Sequence, residues 1–222
     1  MKSIARKILT ARARHYLSRA GVLPLLRSGD PSEIPSDLLD LASLHAAVLK
    51  RRPSVILEFG TGFSTIVLAH AMGPGGRLYS LDANEEWIEN ARSKIPSQLS
   101  DRIVFQYSSV KINVHNGELC HFYDKLPNIV PDFIYLDGPG TDDIHGEIRG
   151  LTFQPSGQVR QQVAADILLY ESTLKKGATL VVDSRYINVH FLIRNLRRRW
   201  RVQIDRIRRQ TTFVLIEHTG RQ

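Results

Sequence analysis

The chain has little cysteine and no long apolar run. Cys120 is the only cysteine among its 222 residues, which excludes an internal disulfide and a cysteine-rich metal cluster. No apolar run approaches the roughly 20 residues that a bilayer-spanning helix needs. Residues 1–20 alternate basic and apolar side chains without the apolar core of a signal peptide. We therefore expect a globular protein of the reducing cytoplasm.

Basic residues outnumber acidic residues by 30 to 22, which gives a formal net charge of +8. They concentrate in residues 1–19 and 194–209. Such charge could attract nucleic acid, anionic lipid or an acidic saccharide. Only Tyr16 and Trp200 stand near these clusters as aromatic platforms for bases. Nucleic acid is therefore an alternative partner that the sequence does not favour, and the N-terminal segment could equally contact a membrane surface or a second subunit.

A glycine-containing turn follows the first strongly apolar segment. Residues 55–65 read Val-Ile-Leu-Glu-Phe-Gly-Thr-Gly-Phe-Ser-Thr, so an apolar run ends at Glu58 and breaks into Gly60-x-Gly62-x-Ser64. Glycines let a backbone approach a ligand closely because they lack a Cβ atom. The segment therefore predicts a strand followed by a ligand-binding turn.

The residues after this turn complete a nucleotide-binding pattern. Residues 66–72 have helical character, and a second apolar run, 78–81, ends in Asp82, twenty residues after Gly62. A strand, a glycine turn, a helix and a second strand that ends in a carboxylate are typical of a nucleotide-binding half of a parallel sheet. We expect Asp82 to accept hydrogen bonds from the hydroxyls of a ribose.

The residues of this turn also indicate which kind of nucleotide cofactor it would bind. Dinucleotide-binding turns have a third glycine at the position of Thr65, where strand and helix pack closely. Glu58 places a negative charge where it would repel a pyrophosphate and attract an ammonium group. S-adenosylmethionine (SAM) has an ammonium group and a ribose diol, and it lacks phosphate. The pattern therefore favours SAM over NAD.

These residues resemble the class I SAM-dependent methyltransferases, with Ser64 in place of the usual last glycine. In that family an acidic residue precedes the glycine loop and another ends the second strand, as Glu58 and Asp82 do here. The resemblance implies that SAM is the cofactor, with Glu58 at its methionine end, Asp82 at its ribose and Ser108 near its adenine. The full set of implied cofactor residues is Glu58, Gly60, Thr61, Gly62, Ser64, Asp82, Ala83 and Ser108.

The remaining sequence alternates strand and helix patterns. We predict an α/β fold, a Rossmann-like three-layer sandwich whose mostly parallel seven-stranded sheet ends in an antiparallel hairpin. Such a terminal hairpin is characteristic of class I methyltransferases. Residues 1–36 would form a basic helical extension, and residues 37–222 the SAM-binding domain.

The predicted elements follow apolar periodicity and turn residues. The predicted strands after the first two are 103–105, 133–136, 178–182, 202–207 and 212–216. The predicted helices are 1–19, with a break at 21–24, then 36–50 with Ser36 as its cap, 66–72, 85–94, 158–174 and 189–200.

Two carboxylates are candidate catalytic residues. Asp137 and Asp183 each end a predicted strand, and the carboxyl ends of parallel strands form the ligand-binding edge of such sheets. In catechol-type O-methyltransferases, carboxylates at comparable positions hold a divalent metal. Here Ser184 and Arg185 follow the strand instead of the family's Asp-Asn pair, and a guanidinium would compete with a cation. We therefore expect no metal, with Asp137 beside SAM and the acceptor and Asp183 orienting the acceptor or acting as a base. The alternative is that Asp183 only caps the turn that follows it.

A polar stretch, 138–157, follows the fourth predicted strand and adjoins this edge. Loops of this length are usually functional, so we expect a substrate lid. His145 and His190 are further candidate proton acceptors.

The resemblance implies methyl transfer from SAM to a small molecule, or to a glycan or lipid precursor, with oxygen as the expected nucleophile. Two alternatives remain at this point. One is a methyltransferase that acts on nucleic acid, and the other is a binding protein or non-methylating enzyme on the same fold. The loop sequences carry no general code for the acceptor.

Overall fold

The computed structural model describes residues 2–27, 35, 37–156 and 158–217. The expected helix cap Ser36 lies outside the described residues. The helices are α1 (Lys2–Arg19), α2 (Val22–Leu25), α3 (Leu38–Arg51), α4 (Phe63–Ala71), α5 (Glu85–Lys94), α6 (Ser97–Ser100), α7 (Ile167–Tyr170) and α8 (Tyr186–Asn195). The strands are β1 (Val55–Phe59), β2 (Arg77–Asp82), β3 (Ile103–Tyr107), β4 (Val110–His115), β5 (Glu118–Tyr123), β6 (Phe133–Leu136), β7 (Ile144–His145), β8 (Thr179–Asp183), β9 (Trp200–Asp205) and β10 (Gln210–Leu215).

The main sheet has seven strands in the order β3-β2-β1-β6-β8-β10-β9. The first five are parallel, whereas β10 pairs antiparallel with both β8 and β9. The central strands β1, β6 and β8 consist almost wholly of buried residues, as expected where both faces of a parallel sheet are covered. The predicted α/β fold with a terminal antiparallel hairpin is confirmed.

Alternate residues of each strand pack into two different layers. On one face, Ile56 of β1 joins a core with α1, α3 and α4. On the other face, its neighbour Leu57 joins a core with β4, β5 and α8. Because strand side chains alternate between faces, one apolar run supplies both cores.

A second sheet of three strands, in the order β5-β4-β7, forms part of the second layer. The antiparallel pair β4 and β5 is joined at Asn116 and Gly117, both with positive φ angles, 49° and 79°. Two successive residues with positive φ form the tight turn that suits the twist of a hairpin. The sequence prediction did not include this sheet.

The predicted helix at 158–174 is wrong. Only α7 and a short 3₁₀ segment, Glu171–Thr173, are helical there. The backbone of Ala164 pairs instead with the side chain of Asn188, which accepts from its N–H at 2.8 Å and donates to its C=O at 3.0 Å. Ala164 also forms a β-bridge with His121. These tertiary contacts hold the segment in an extended form.

Two other predicted boundaries are also corrected. The helix predicted for 189–200 is α8, which ends at Asn195. The buried Glu171 carboxylate accepts the backbone N–H groups of Arg197 and Arg198 at 2.9 to 3.0 Å, and this directs the chain into β9. The break predicted at 21–24 is instead at Ala20 and Gly21, because Val22–Leu25 forms the short helix α2.

The N-terminal helix packs against the helical layer. Ala13 and Leu17 of α1 are buried in the same core as α3 and α4. A polar chain crosses this layer, from Tyr16 Oη to His45 Nδ1 at 2.9 Å and from His45 Nε2 to His70 Nδ1 at 3.1 Å. The division of the chain at residue 36 stays a prediction. Within the described residues, no helix is both long and apolar enough to cross a membrane.

Candidate active site

The turn after β1 is shaped by a close approach of two glycines. Gly60 has a φ of 95°, which favours glycine. A Cβ atom on Gly60 would lie 2.6 Å from the backbone N of Gly138, and one on Gly138 would lie 2.4 Å from the Cα of Gly60. The N–H groups of Asp137 and Gly138 both donate to the Phe59 carbonyl, at 2.9 and 2.6 Å. The carboxyl ends of β1 and β6 are thereby held together.

Asp82 shapes the same turn from the neighbouring strand. Its carboxylate accepts the backbone N–H of Thr61 at 2.7 Å and that of Asn84 at 3.1 Å. The side chain is 5% exposed, and burial raises its pKa despite these donors. The backbone of Ala83 also donates to this carboxylate, which still leaves acceptor capacity for a ribose hydroxyl.

Glu58 lies beneath the turn and does not reach the cleft. Its carboxylate accepts hydrogen bonds from the hydroxyls of Ser64 at 2.6 Å, Thr65 at 2.7 Å and Ser80 at 2.7 Å. The side chain has no exposed surface, and burial raises its pKa to about 7. The sequence placed Glu58 at an ammonium group, whereas the structure uses both of its oxygens to brace the turn.

The hydroxyl groups around Glu58 connect it to the turn itself. Thr65 Oγ1 accepts the backbone N–H of Gly62 at 3.0 Å, and Ser80 Oγ lies 2.8 Å from Thr61 Oγ1. The indole N–H of Trp87 donates to the Thr61 carbonyl. The turn is therefore fixed from below by Glu58 and from the side by Asp82 and Trp87.

A cleft of about 560 Å³ opens at the carboxyl ends of the parallel strands. This volume lies within the range of small-molecule and cofactor sites. Seven of the predicted site residues line it, namely Gly60, Thr61, Gly62, Ser64, Asp82, Asp137 and Asp183. The structure thus brings the predicted cofactor turn and both candidate catalytic carboxylates to one cavity.

Ala83 and Ser108 do not line this cleft. Ala83 is half-buried against the apolar core. Ser108 is 3% exposed, and its hydroxyl accepts the backbone N–H of Lys125 at 2.8 Å, so it ties the end of β3 to the segment after β5. The exposed His145 and His190 also lie outside the lining. Ala83 and Ser108 follow the ends of β2 and β3, as expected, but His145 lies in the unpredicted strand β7 and His190 lies on α8.

Asp137 directly follows β6 and Asp183 ends β8, and these strands are adjacent. Desolvation within the cleft, followed by the nearby Asp183 carboxylate, raises the pKa of Asp137 to about 7. Burial is also the main cause that raises the pKa of Asp183. A carboxyl group with a pKa near neutrality, as Asp137 has, can exchange protons at physiological pH.

Arg185 contacts the backbone that follows β6. Its guanidinium donates to the backbone carbonyls of Asp137 and Pro139, the latter at 3.0 Å. Asp183 Oδ1 and Arg185 Nη1 each have no hydrogen-bond partner within the described residues. Arg185 stabilises the chain reversal after β6.

The predicted lid, 138–157, has local structure of its own. It contains a 3₁₀ turn at Thr141–Asp143 and the strand β7, which pairs with β4. Gly138, Gly140 and Asp143 are its cleft-lining residues. Its function as a lid stays a prediction.

Two acidic residues that line the cleft were not predicted as site residues from the sequence. Asp37 and Asp40 lie at the start of α3, far from the glycine turn in the sequence. Asp40 is 6% exposed, and burial, followed by the Asp183 carboxylate, raises its pKa to about 7. An acidic residue on an otherwise apolar helix face, beside Leu38, Leu39 and Leu41, was the available signal.

The acidic residues that line the cleft are Asp37, Asp40, Asp82, Asp137, Asp143 and Asp183. No lysine, arginine or histidine among the described residues lines it. Across the same part of the chain, no group of three or more histidine, cysteine or acidic side chains could hold a metal ion. The described lining of the cleft is therefore acidic and favours positive charge in a ligand.

Known structures with the same fold include several O-methyltransferases. A candidate caffeoyl-CoA O-methyltransferase from Staphylococcus aureus has a TM-score of 0.60 at 14% identity, over 96% of this chain and 100% of that one. The Bacillus cereus O-methyltransferase in complex with SAH has a TM-score of 0.52 at 17% identity, over 93% and 91%. The Streptomyces achromogenes O-methyltransferase TomG, involved in tomaymycin synthesis and in complex with SAM, has a TM-score of 0.50 at 15% identity, over 94% and 90%.

No curated protein sequence matches the chain. The sequence profile of one family, described as a methyltransferase domain, matches residues 57–184, more than half of the chain. This range includes the glycine turn, Asp82 and both candidate catalytic carboxylates. The chain therefore belongs to this family of methyltransferase domains.

Proposed function

We propose that the chain transfers the methyl group of SAM to an oxygen of a small-molecule acceptor. The observation that carries this proposal is the meeting of the glycine turn, Asp82 and Asp137 in one cleft of a methyltransferase domain. Structures of the same fold contain SAM in the Streptomyces enzyme and SAH in the Bacillus enzyme. Both of these proteins are described as O-methyltransferases.

The residues of the cleft fit SAM. The close approach of Gly60 and Gly138 leaves the turn without side-chain bulk, and Asp82 retains acceptor capacity for a ribose. The acidic lining favours the net positive charge of this cofactor. When bound, SAM supplies a methyl group activated by its sulfonium.

Methyl transfer from a sulfonium requires alignment more than covalent help from the protein. In our proposal the turn and Asp82 hold the cofactor, and Asp137 and Asp183 hold the acceptor on the adjoining wall. The pKa of Asp137, raised to about 7, allows its carboxylate to accept the proton of an acceptor hydroxyl near neutral pH. Arg185 keeps the carbonyl groups beside Asp137 in place.

Isothermal titration calorimetry tests the cofactor assignment. We expect SAM and SAH to bind and NADH to give no heat. Asp82→Asn should weaken SAM binding at least tenfold, because its amide nitrogen cannot accept from a ribose hydroxyl or from the backbone N–H that faces it. Asp101→Asn, at an exposed site, is the matched control. Binding of NADH without a response to SAM would contradict the proposal.

A screen for SAH release with small hydroxylated acceptors then tests the reaction. We expect turnover to survive EDTA, because a site built from Asp137 and Asp183 lacks a third protein ligand among the described residues. Asp137→Asn should still lower kcat. Loss of activity with EDTA and its recovery with Mg²⁺ would instead establish a metal-assisted mechanism.

We also propose a cytoplasmic location, with which the single buried cysteine is compatible. Contact with an anionic membrane surface through α1 remains a second proposal. Exposed Lys7 and Arg14 lie two turns apart on the same side of α1, whereas Ala13 and Leu17 are buried against the core, so one side of the helix is basic and free of that contact.

A further inference from the structure

The cleft carries more negative charge than a bound SAM would balance. Six aspartates line it, although the chain as a whole has a formal net charge of +8. SAM carries one net positive charge, from its sulfonium, ammonium and carboxylate groups. Several carboxylates are therefore left to interact with something other than the cofactor.

These carboxylates fall into two groups by position. Asp82 and Asp143 lie on the side of Asn84, whose backbone N–H donates to Asp82 and whose side-chain amide lies 3.5 Å from Asp143. Asp40 and Asp183 lie near each other, where α3 meets the end of β8. Gln210 pairs with Asp183 across the sheet and donates to the Asp40 carbonyl at 3.2 Å, which fixes the two elements together.

Asp40 and Asp183 each have a carboxylate oxygen without a partner. Oδ1 of both residues lacks a hydrogen bond within the described part of the chain. Asp40 is 6% exposed, and it lines the cleft together with Asp183. A buried carboxylate oxygen without a donor is costly, so both positions suit a donor that arrives with a ligand.

We propose that the methyl acceptor carries a cationic amino group, which binds between Asp40 and Asp183 while an oxygen of the same molecule receives the methyl group. This inference rests on the proposed function and specifies its substrate class. An ammonium group has three donors and requires only two or three acceptor oxygens. A divalent metal would need a larger set of oxygen ligands than these two carboxylates provide.

The charges around Asp40 make this binding sensitive to pH. Asp183 and Asp37 raise the pKa of Asp40, after burial, to about 7, whereas Arg6 and Arg209 lower it. Neither arginine lines the cleft. A bound ammonium group favours the ionised form of Asp40. The affinity for a cationic acceptor should therefore rise between pH 6 and pH 8.

Calorimetry on the SAH-saturated protein tests the inference with two matched probes, tyramine and 4-ethylphenol. They share a phenol and differ in the ammonium group at the end of the side chain. We expect tyramine to bind at least tenfold more tightly than 4-ethylphenol. Asp40→Asn should lower the affinity for tyramine at least tenfold and flatten its pH dependence, with unchanged affinity for SAH and 4-ethylphenol. Asp101→Asn serves as the control.

Two results would overturn the inference. One is equal or absent binding of the two probes to the SAH-bound protein, and the other is an Asp40→Asn variant that binds tyramine as tightly as the wild type. The SAH titration separates the two proposals. Absence of SAH binding contradicts the proposed function itself, whereas SAH binding without a preference for tyramine contradicts only the cationic acceptor.

Discussion

Glu58 is buried beneath the glycine turn, where three hydroxyl groups take up both oxygens of its carboxylate. An acidic residue at this position predicts a contact with the cofactor when only the sequence is considered. The structure instead gives Glu58 a positioning role. Its partners Thr65 and Ser80 also form hydrogen bonds with the turn residues Gly62 and Thr61. The two roles make different predictions for one substitution.

We predict that Glu58→Gln lowers the affinities for SAM and for 5′-methylthioadenosine to the same extent, roughly tenfold. The amide nitrogen of glutamine cannot accept hydrogen bonds, so at least one hydroxyl loses its partner and the turn loosens, at a cost of about 1–3 kcal/mol in stability. Methylthioadenosine lacks the amino-acid part of SAM. Both affinities and the urea unfolding free energy should be measured.

The exposed Glu86→Gln on α5 is the control for this substitution. If Glu58 contacted the ammonium group directly, its substitution would lower the affinity for SAM and leave the affinity for methylthioadenosine unchanged. That outcome would restore the role expected from the sequence.

At the scale of whole elements, the junction between β1 and β6 depends on the two glycines in contact. We predict that Gly138→Ala lowers the unfolding free energy by about 1–3 kcal/mol, since the added methyl group would lie 2.4–2.5 Å from the backbone of Gly60. Gly62→Ala is the matched control. Gly62 has an extended backbone with a φ of 173°, and no atom lies within 4 Å of its would-be Cβ.

Chemical denaturation of both variants checks this prediction. Gly62→Ala should leave the unfolding free energy within about 0.5 kcal/mol of the wild type. Its methyl group would face the cleft, so its effect should appear in SAM affinity instead. Equal stability of the Gly138→Ala variant and the wild type would mean that the strand ends can separate freely.

The elements that the sequence predicted well have strong local patterns. Residues 55–59 are apolar up to an acid and a glycine turn, and they form the central strand β1. The terminal hairpin follows from alternation in residues 202–207 and 212–216, although β9 begins two residues earlier. Local pattern and tertiary environment agree at these places, which is why the fold was predictable.

The elements that could not be predicted from the sequence depend on residues far away along the chain. Ala164 is extended because the Asn188 side chain pairs with its backbone, and nothing within 158–174 encodes that contact. The hairpin of β4 and β5 did have a signal, the alternation in residues 110–115 followed by Asn116-Gly117. Asp40 could not be assigned to the cleft because only the packing of α3 brings it to Asp183.

The molecule as a whole combines a basic surface with several buried acids. Burial is the main cause that raises the pKa values of Asp40, Glu58 and Asp166 to about 7. Their folded-state pKa values lie above those of the unfolded chain, so the folded protein holds protons that the unfolded chain has released. Stability from these groups is complete below about pH 4 and is lost as the pH rises through 7.

Two buried histidines oppose this effect on the acidic side. Burial lowers the pKa of His45 to about 4 and that of His121 to about 3, so the folded state keeps both neutral. Their contribution is present above pH 6.5 and is lost as the pH falls. Below pH 6.5 the contributions of the carboxyl groups and of the histidines to stability change in opposite directions. Above pH 6.5 only the contribution of the carboxyl groups still changes.

We therefore predict that the unfolding free energy of the ligand-free protein falls between pH 6.5 and pH 8. Glu58 and Asp166 have no exposed surface, and each should contribute a loss on the order of 1 kcal/mol over this range. Urea denaturation at constant ionic strength measures the fall, and Asp166→Asn should make it smaller while the exposed Asp101→Asn leaves it unchanged. A stability that rises over this range would show that the buried carboxyl groups are already ionised in the folded protein at pH 6.5.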